Sequence, residues 1–152
     1  MQLAHQRIVH MSTAQLITFL DLKPHPEGGW YRETYVYEDP AGGRPHATAI
    51  YFLLANGETS HWHRVDTHEI WLFHAGTPLV LSVADEEGGP ATEHLVGPDL
   101  AAGHIPQINI PPNRWKTARS LGDWTLCACV CTPGFTFDTF ELAPESFDLP
   151  RA

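Results

Sequence analysis

The sequence predicts an all-β barrel or sandwich with one N-terminal helix, on three observations. Between residues 30 and 142, short runs rich in β-branched and aromatic residues recur about ten times, the spacing of sandwiches and barrels. Gly, Pro, Asn and Asp separate these runs and supply their turns. Only one segment combines a 3.6-residue apolar period with a cap.

That segment follows a mixed stretch, residues 1–11, expected to form a frayed tail. Ser12 to Gln15 has the form of a capping box, in which the Ser hydroxyl and the Gln amide each satisfy the other's backbone N–H. A helix over residues 13–20 should bury Leu16, Ile17, Phe19 and Leu20, and Pro24 with Pro26 ends it. The PHPEGG stretch, residues 24–29, reads equally as a plain helix-to-strand turn or as a loop at a pocket rim. Residues 30–37 alternate as a strand, and 47–54 are nearly all apolar, as in a strand buried on both sides. Further strands are expected at 69–73, 79–83, 94–96, 107–110, 115–118, 125–132 and 135–142, with a loop at 85–90 and an exposed tail at 143–152. The reading is one domain, residues 12–142.

At 152 residues the chain suits a single core. Nine basic and eighteen acidic residues give a formal charge of −9, which argues against nucleic acid as a partner. No apolar run reaches the roughly 18 residues of a membrane span, and no signal-peptide pattern opens the chain, so a cytoplasmic protein is expected. Cys127, Cys129 and Cys131 alternate along one run; neighbours two apart on a strand are badly placed for a disulfide, so three reduced, buried thiols are expected.

Residues 57–76, GETSHWHRVDTHEIWLFHAG, concentrate the chemistry. His61 and His63 are two apart and should share a strand face, while Glu69, Trp71 and Phe73 repeat the period on the next strand. His68 and His74 fall out of phase and should face outward. A polar cluster walled by aromatics is how a small-molecule pocket looks in sequence.

Gly57, His63, Val65, Glu69 and Gly76 resemble the first cupin motif, G-x5-H-x-H-x3,4-E-x6-G, with Val65 in place of its second histidine. The strings PHPEGGWYRETY, TAIYFLL, WHRVDTHEIWLFHAG, PQINIPPNRW and LGDWTLCACVCTPGFTFDTFEL resemble a branch of uncharacterised cupin-like proteins over most of the chain. The resemblance implies a cupin jelly-roll, a double-stranded β-helix, related to sugar-nucleotide epimerases and to metal-binding cupins. It also implies a homodimer formed by exchange of N-terminal strands. The second motif survives only as Pro111, with Asn113 in its glycine place and Lys116 in its histidine place. The family's metal ligands would map to His63, Val65, Glu69 and Lys116. A valine cannot coordinate and an ammonium repels a cation, so no metal cofactor is favoured. His61, His63 and Glu69 form an alternative two-histidine, one-carboxylate set for a divalent metal if the strand re-registers.

Without a metal, Glu69 is expected to orient His63 as a general base, with Lys116 steadying a developing enolate and Tyr51 giving a proton. Gln107 and Arg32 are candidate polar contacts with a ligand, and Trp71, Phe73 and Trp115 candidate stacking surfaces. Three functions follow: an isomerase or epimerase-like enzyme acting on a small, polar, sugar-like ligand; a non-catalytic metabolite binder; or a metal-dependent, dioxygenase-like cupin. Fold alone does not choose among them.

Overall fold

The computed structural model describes residues 11–152; the frayed tail expected at 1–11 therefore lies, apart from Met11, outside the described residues. Two antiparallel sheets face each other. The first holds six strands: β1 (Lys23–Pro24), β2 (Trp30–Tyr37), β3 (Ala47–Ala55), β5 (His68–Gly76), β8 (Gln107–Ile110) and β10 (Trp124–Thr132), in the order β1-β2-β3-β10-β5-β8. The second holds β4 (Thr59–Arg64), β6 (Leu79–Asp85), β7 (Gly88–Val96), β9 (Lys116–Ser120) and β11 (Glu141–Leu142), in the order β11-β4-β9-β6-β7. This is the expected all-β jelly-roll.

The alternation of β3 explains its apolar sequence. Phe52 and Leu54 point between the sheets and pack with Trp71, Leu79, Leu81, Val96 and Ala118. Leu53 points the other way, where Leu16, Leu22, Trp124 and Leu126 join it beneath the helix. That helix, α1 (Thr13–Phe19), opens on the expected capping box: Ser12 Oγ accepts from Gln15 N, and Gln15 Oε1 accepts from Ser12 N at 2.8 Å. Leu16 is its one buried residue, a contribution of roughly 1.5–3 kcal/mol to holding α1 on the sheet. Phe19, expected on the buried face, is exposed at the last residue of the helix.

Three expected elements differ. Residues 135–142 form a 3-10 turn at Phe137–Thr139 and the two-residue β11 instead of a long closing strand. Phe135, Phe137 and Phe140 pack against one another with centroids 4.9–6.0 Å apart, and Phe140 breaks the two-residue period that a strand requires. Residues 143–152 are not a free tail: Ala143 is buried, and Phe147 and Leu149 pack over Trp62, Ala84, Ala91 and Trp115 on the outside of the second sheet. Strand β7 starts at Gly88, because only Glu86 and Glu87 are needed to turn from β6. The three cysteines are free and buried on β10 between β3 and β5, as expected.

Candidate functional site

A cavity of about 260 Å³ opens between the sheets. Its walls come from β2 and β3 (Tyr31, Ile50, Phe52), from β10 (Cys129, Cys131) and from the aromatic turn (Phe135, Phe137). Its polar face is made by His25, Glu27, His63 and Glu69.

Glu27 reaches that face because the loop after β1 folds back on itself and then onto β4. His25 N donates to Gly29 O and Gly28 N to His25 O. The turn needs a positive φ of 105° at Gly28, whose missing Cβ would collide with Thr59 O, so only glycine fits. His61 N donates to Glu27 O at 2.7 Å, and Ser60 Oγ to Glu27 Oε1 at 2.8 Å. The Glu27 carboxyl is thereby pinned with Oε2 3.1 Å from His63 Nε2.

The protonation state follows from these contacts. His63 Nδ1 lies 2.7 Å from His61 O, a carbonyl that only accepts, so Nδ1 carries a hydrogen. Burial, and then the Lys116 ammonium, hold His63 well below its ordinary pKa, so the ring is neutral and Nε2 is a lone pair. Burial, and then the charge of Glu69, push Glu27 up to about 8, against a smaller opposing effect from Ser60 and Lys116. At neutral pH one proton therefore lies between Glu27 Oε2 and His63 Nε2, held on the carboxyl. Glu69 has a separate partner: Lys116 Nζ lies 2.7 Å from its Oε2, and Lys116 is only 1% exposed.

The expected site is thus partly reassembled. His63 and Glu69 share the cavity and Lys116 converges on Glu69, but the partner of His63 is Glu27, not Glu69. A bulge between Ser60 and His63 shifts the face of β4, so Ser60 and His63 point inward while His61 donates through Nε2 to Pro144 O at 3.0 Å on the outside. Tyr51 faces away from the cavity, with the Arg32 guanidinium 5.6 Å above its ring, so neither reaches a ligand there. Trp71 and Phe73 belong to the core between the sheets, Trp71 edge-on to Phe52 at 5.6 Å. Trp115 packs outside the second sheet against Phe147 at 4.9 Å, with Arg64 over its ring. Gln107 is exposed on the edge strand β8. His68 and His74 are exposed, as their phase requires. His25 and Glu27 were not singled out from sequence; their signal was the glycine pair that turns the loop back.

A cupin metal does not fit this donor set. Val65 lines the cavity where the motif has a histidine, Lys116 occupies Glu69, and His61 has turned outward. Among the described residues, no group of three or more His, Cys, Asp or Glu side chains is placed to hold an ion.

Residues 14–143 match a family profile described as Cupin superfamily (DUF985). A search of curated proteins found no match. Among solved structures, a protein from Shewanella oneidensis is 42% identical over 88% of this chain and 85% of its own, with a TM-score of 0.81. A hypothetical protein from Leishmania major is 30% identical over 88% of each chain, with a TM-score of 0.77. Oxalate decarboxylase from Bacillus subtilis shares the fold over 82% of this chain and 30% of its own, at 18% identity and a TM-score of 0.61.

Proposed function

The chain belongs to the cupin superfamily, and from that premise we propose that its barrel binds a small carbonyl-bearing metabolite and moves a proton on it, as an isomerase or epimerase does. The observation that supports this reading is the 3.1 Å approach of Glu27 Oε2 to His63 Nε2 on the cavity wall, with burial raising the carboxyl and lowering the imidazole so that the two share one proton. When that proton passes to His63 Nε2, Glu27 becomes a carboxylate able to take a proton from a carbon beside the substrate carbonyl. The enolate then faces an imidazolium. Return of the proton from Glu27 to the neighbouring carbon, with the hydroxyl proton passing between the two oxygens of the enediolate, and of the first proton from His63 to Glu27, completes the isomerisation of a hydroxy-carbonyl with no net charge change.

The other groups set the stage for that transfer. Lys116 counters the charge of Glu69, so the floor presents no unpaired ion. The aromatic walls exclude water from the pair. A homodimer accompanies this reading, supported by the exposed Tyr35 and Tyr37 on β2.

The test is proton exchange in D2O. Small keto and hydroxy-carbonyl compounds, among them dihydroxyacetone, pyruvate and phenylpyruvate, are incubated with the protein and their C–H signals next to the carbonyl followed by NMR. Catalysed loss of one such signal, slowed about 10²-fold or more by Glu27→Gln and by His63→Leu, is the expected result. A compound that binds in the cavity without exchanging would mark the protein as a metabolite binder instead.

A further inference from the structure

We infer that His25 is the ligand-facing hydrogen-bond donor of the cavity, presenting Nε2–H to a carbonyl oxygen, and that the ligand is a small enolisable ketone with a flat apolar part. This rests on the proton-transfer reading above and adds to it the group that polarises the substrate.

The tautomer of His25 is dictated by its backbone. Glu27 N–H donates to His25 Nδ1 at 3.2 Å, so Nδ1 is the acceptor and a neutral ring must carry its hydrogen on Nε2. This is the opposite tautomer from His63, whose Nδ1 is the donor. Burial holds His25 neutral by lowering its pKa to about 4.

The surroundings of the ring offer Nε2–H nothing to bind. His25 packs against Tyr31 at 4.6 Å, Phe52 at 5.8 Å, Phe140 at 6.0 Å and Phe137 at 6.1 Å. Among the described residues Nε2 has no hydrogen-bond acceptor, although the residue is only 9% exposed and lines the cavity. The ring lines the cavity, so the acceptor for this N–H can come from a molecule held there. A neutral imidazole donates without placing a second cation beside the His63 pair.

The ligand class follows. One wall supplies a neutral donor for an oxygen, the adjacent pair exchanges a proton, and Tyr31, Phe52 and Phe137 offer faces for a flat apolar group. At about 260 Å³ the cavity lies just below the usual range of binding sites, roughly 300 to 1,000 Å³, and so suits a small molecule. Lys23 stands at the rim, its ammonium 5.2 Å from the Tyr31 ring, within reach of a carboxylate on such a molecule.

Two measurements test this. Nitrogen-15 NMR of the unmodified protein should show His25 with Nε2 protonated and Nδ1 bare at pH 7; the opposite tautomer, or a doubly protonated ring, overturns the inference. Calorimetry then compares phenylpyruvate with 3-phenylpropanoate, the same skeleton without the ketone oxygen. Phenylpyruvate should bind at least tenfold tighter, His25→Phe should abolish that preference, and His25→Gln, which keeps a donor, should retain part of it. Equal affinities in the unmodified protein, binding of neither compound, or a preference that survives His25→Phe would each overturn it. Proton exchange in D2O separates the two readings: a ketone preference with no exchange in the unmodified protein supports the role of His25 while defeating the proposed reaction, and exchange that survives in His25→Phe does the reverse.

Discussion

Glu27→Gln should remove a pH dependence of stability that the native carboxyl creates. The carboxyl is buried on the cavity wall, with a pKa raised to about 8 in the fold against an ordinary 4.5. A carboxyl whose folded value is raised is protonated in the native state while the unfolded chain has already released its proton. The stability it contributes is therefore fully present below about pH 4.5 and is lost as pH rises through about 8. At about 1.4 kcal/mol per unit, raising the pH from 6.5 to 8 should cost the native protein roughly 1.5–2 kcal/mol through this carboxyl. The two buried imidazoles, with lowered values, work in the other direction: the unfolded chain is still half protonated at these histidines at pH 6.5, so they return roughly 0.4 kcal/mol each by pH 8 and leave a net loss of about 1 kcal/mol in the native protein. The raised thiols act only above their ordinary value of 9.0. The groups facing Glu27 are His25, Ser60, His63, Glu69 and Lys116. In Glu27→Gln the amide oxygen can still accept from Ser60 and the NH2 can donate to His63 Nε2, so the fold is retained. Urea denaturation at pH 6.5, 7.2 and 8.0 should show the native protein losing roughly 1.5–2 kcal/mol relative to the variant; the same pH dependence in both would refute a protonated Glu27.

Lys116→Met should destabilise the fold by about 3–5 kcal/mol, because it leaves Glu69 buried without its cation, and the added change Glu69→Leu should restore most of that in chemical denaturation. Burial pushes the Cys127 thiol up to about 12 and raises Cys129 and Cys131 as well, so a thiol reagent at pH 7 should find no reactive group in the native protein and three after unfolding. Light scattering at micromolar concentration should give twice the 16.9 kDa chain mass, and Tyr35→Glu with Tyr37→Glu should shift it toward monomer.

The fold was legible because its signals are local and repeated. Strand β8 falls on the predicted residues 107–110, and Ser12 with Gln15 forms the predicted cap. The site was legible only in part, since strand period locates a side chain only where the strand is regular. His63 and Glu69 point inward as the motif implies, but the bulge at Ser60 reverses His61, and no feature of TSHWHR announces it. Tyr51 sat in an apolar run with no polar phase marker, so its outward face showed only once Phe52 and Leu54 were seen between the sheets. Glu27 was missed because its approach to His63 depends on a backbone turn 36 residues away in sequence, made possible by Gly28. The packed segment 143–152 and the Phe135, Phe137, Phe140 cluster likewise depend on contacts between distant segments.

The proposed chemistry depends on one proton that resides on Glu27 and is shared with a neutral His63. Carbon-13 NMR of the Glu27 carboxyl, followed from pH 5 to 9 together with the ring nitrogens of His63, measures it directly. The expected spectrum is a protonated carboxyl at pH 7 that titrates at about 8, beside an imidazole with Nδ1 protonated and Nε2 bare. A carboxylate already ionised at pH 5, or a His63 ring carrying hydrogen on Nε2 at pH 7, would contradict it.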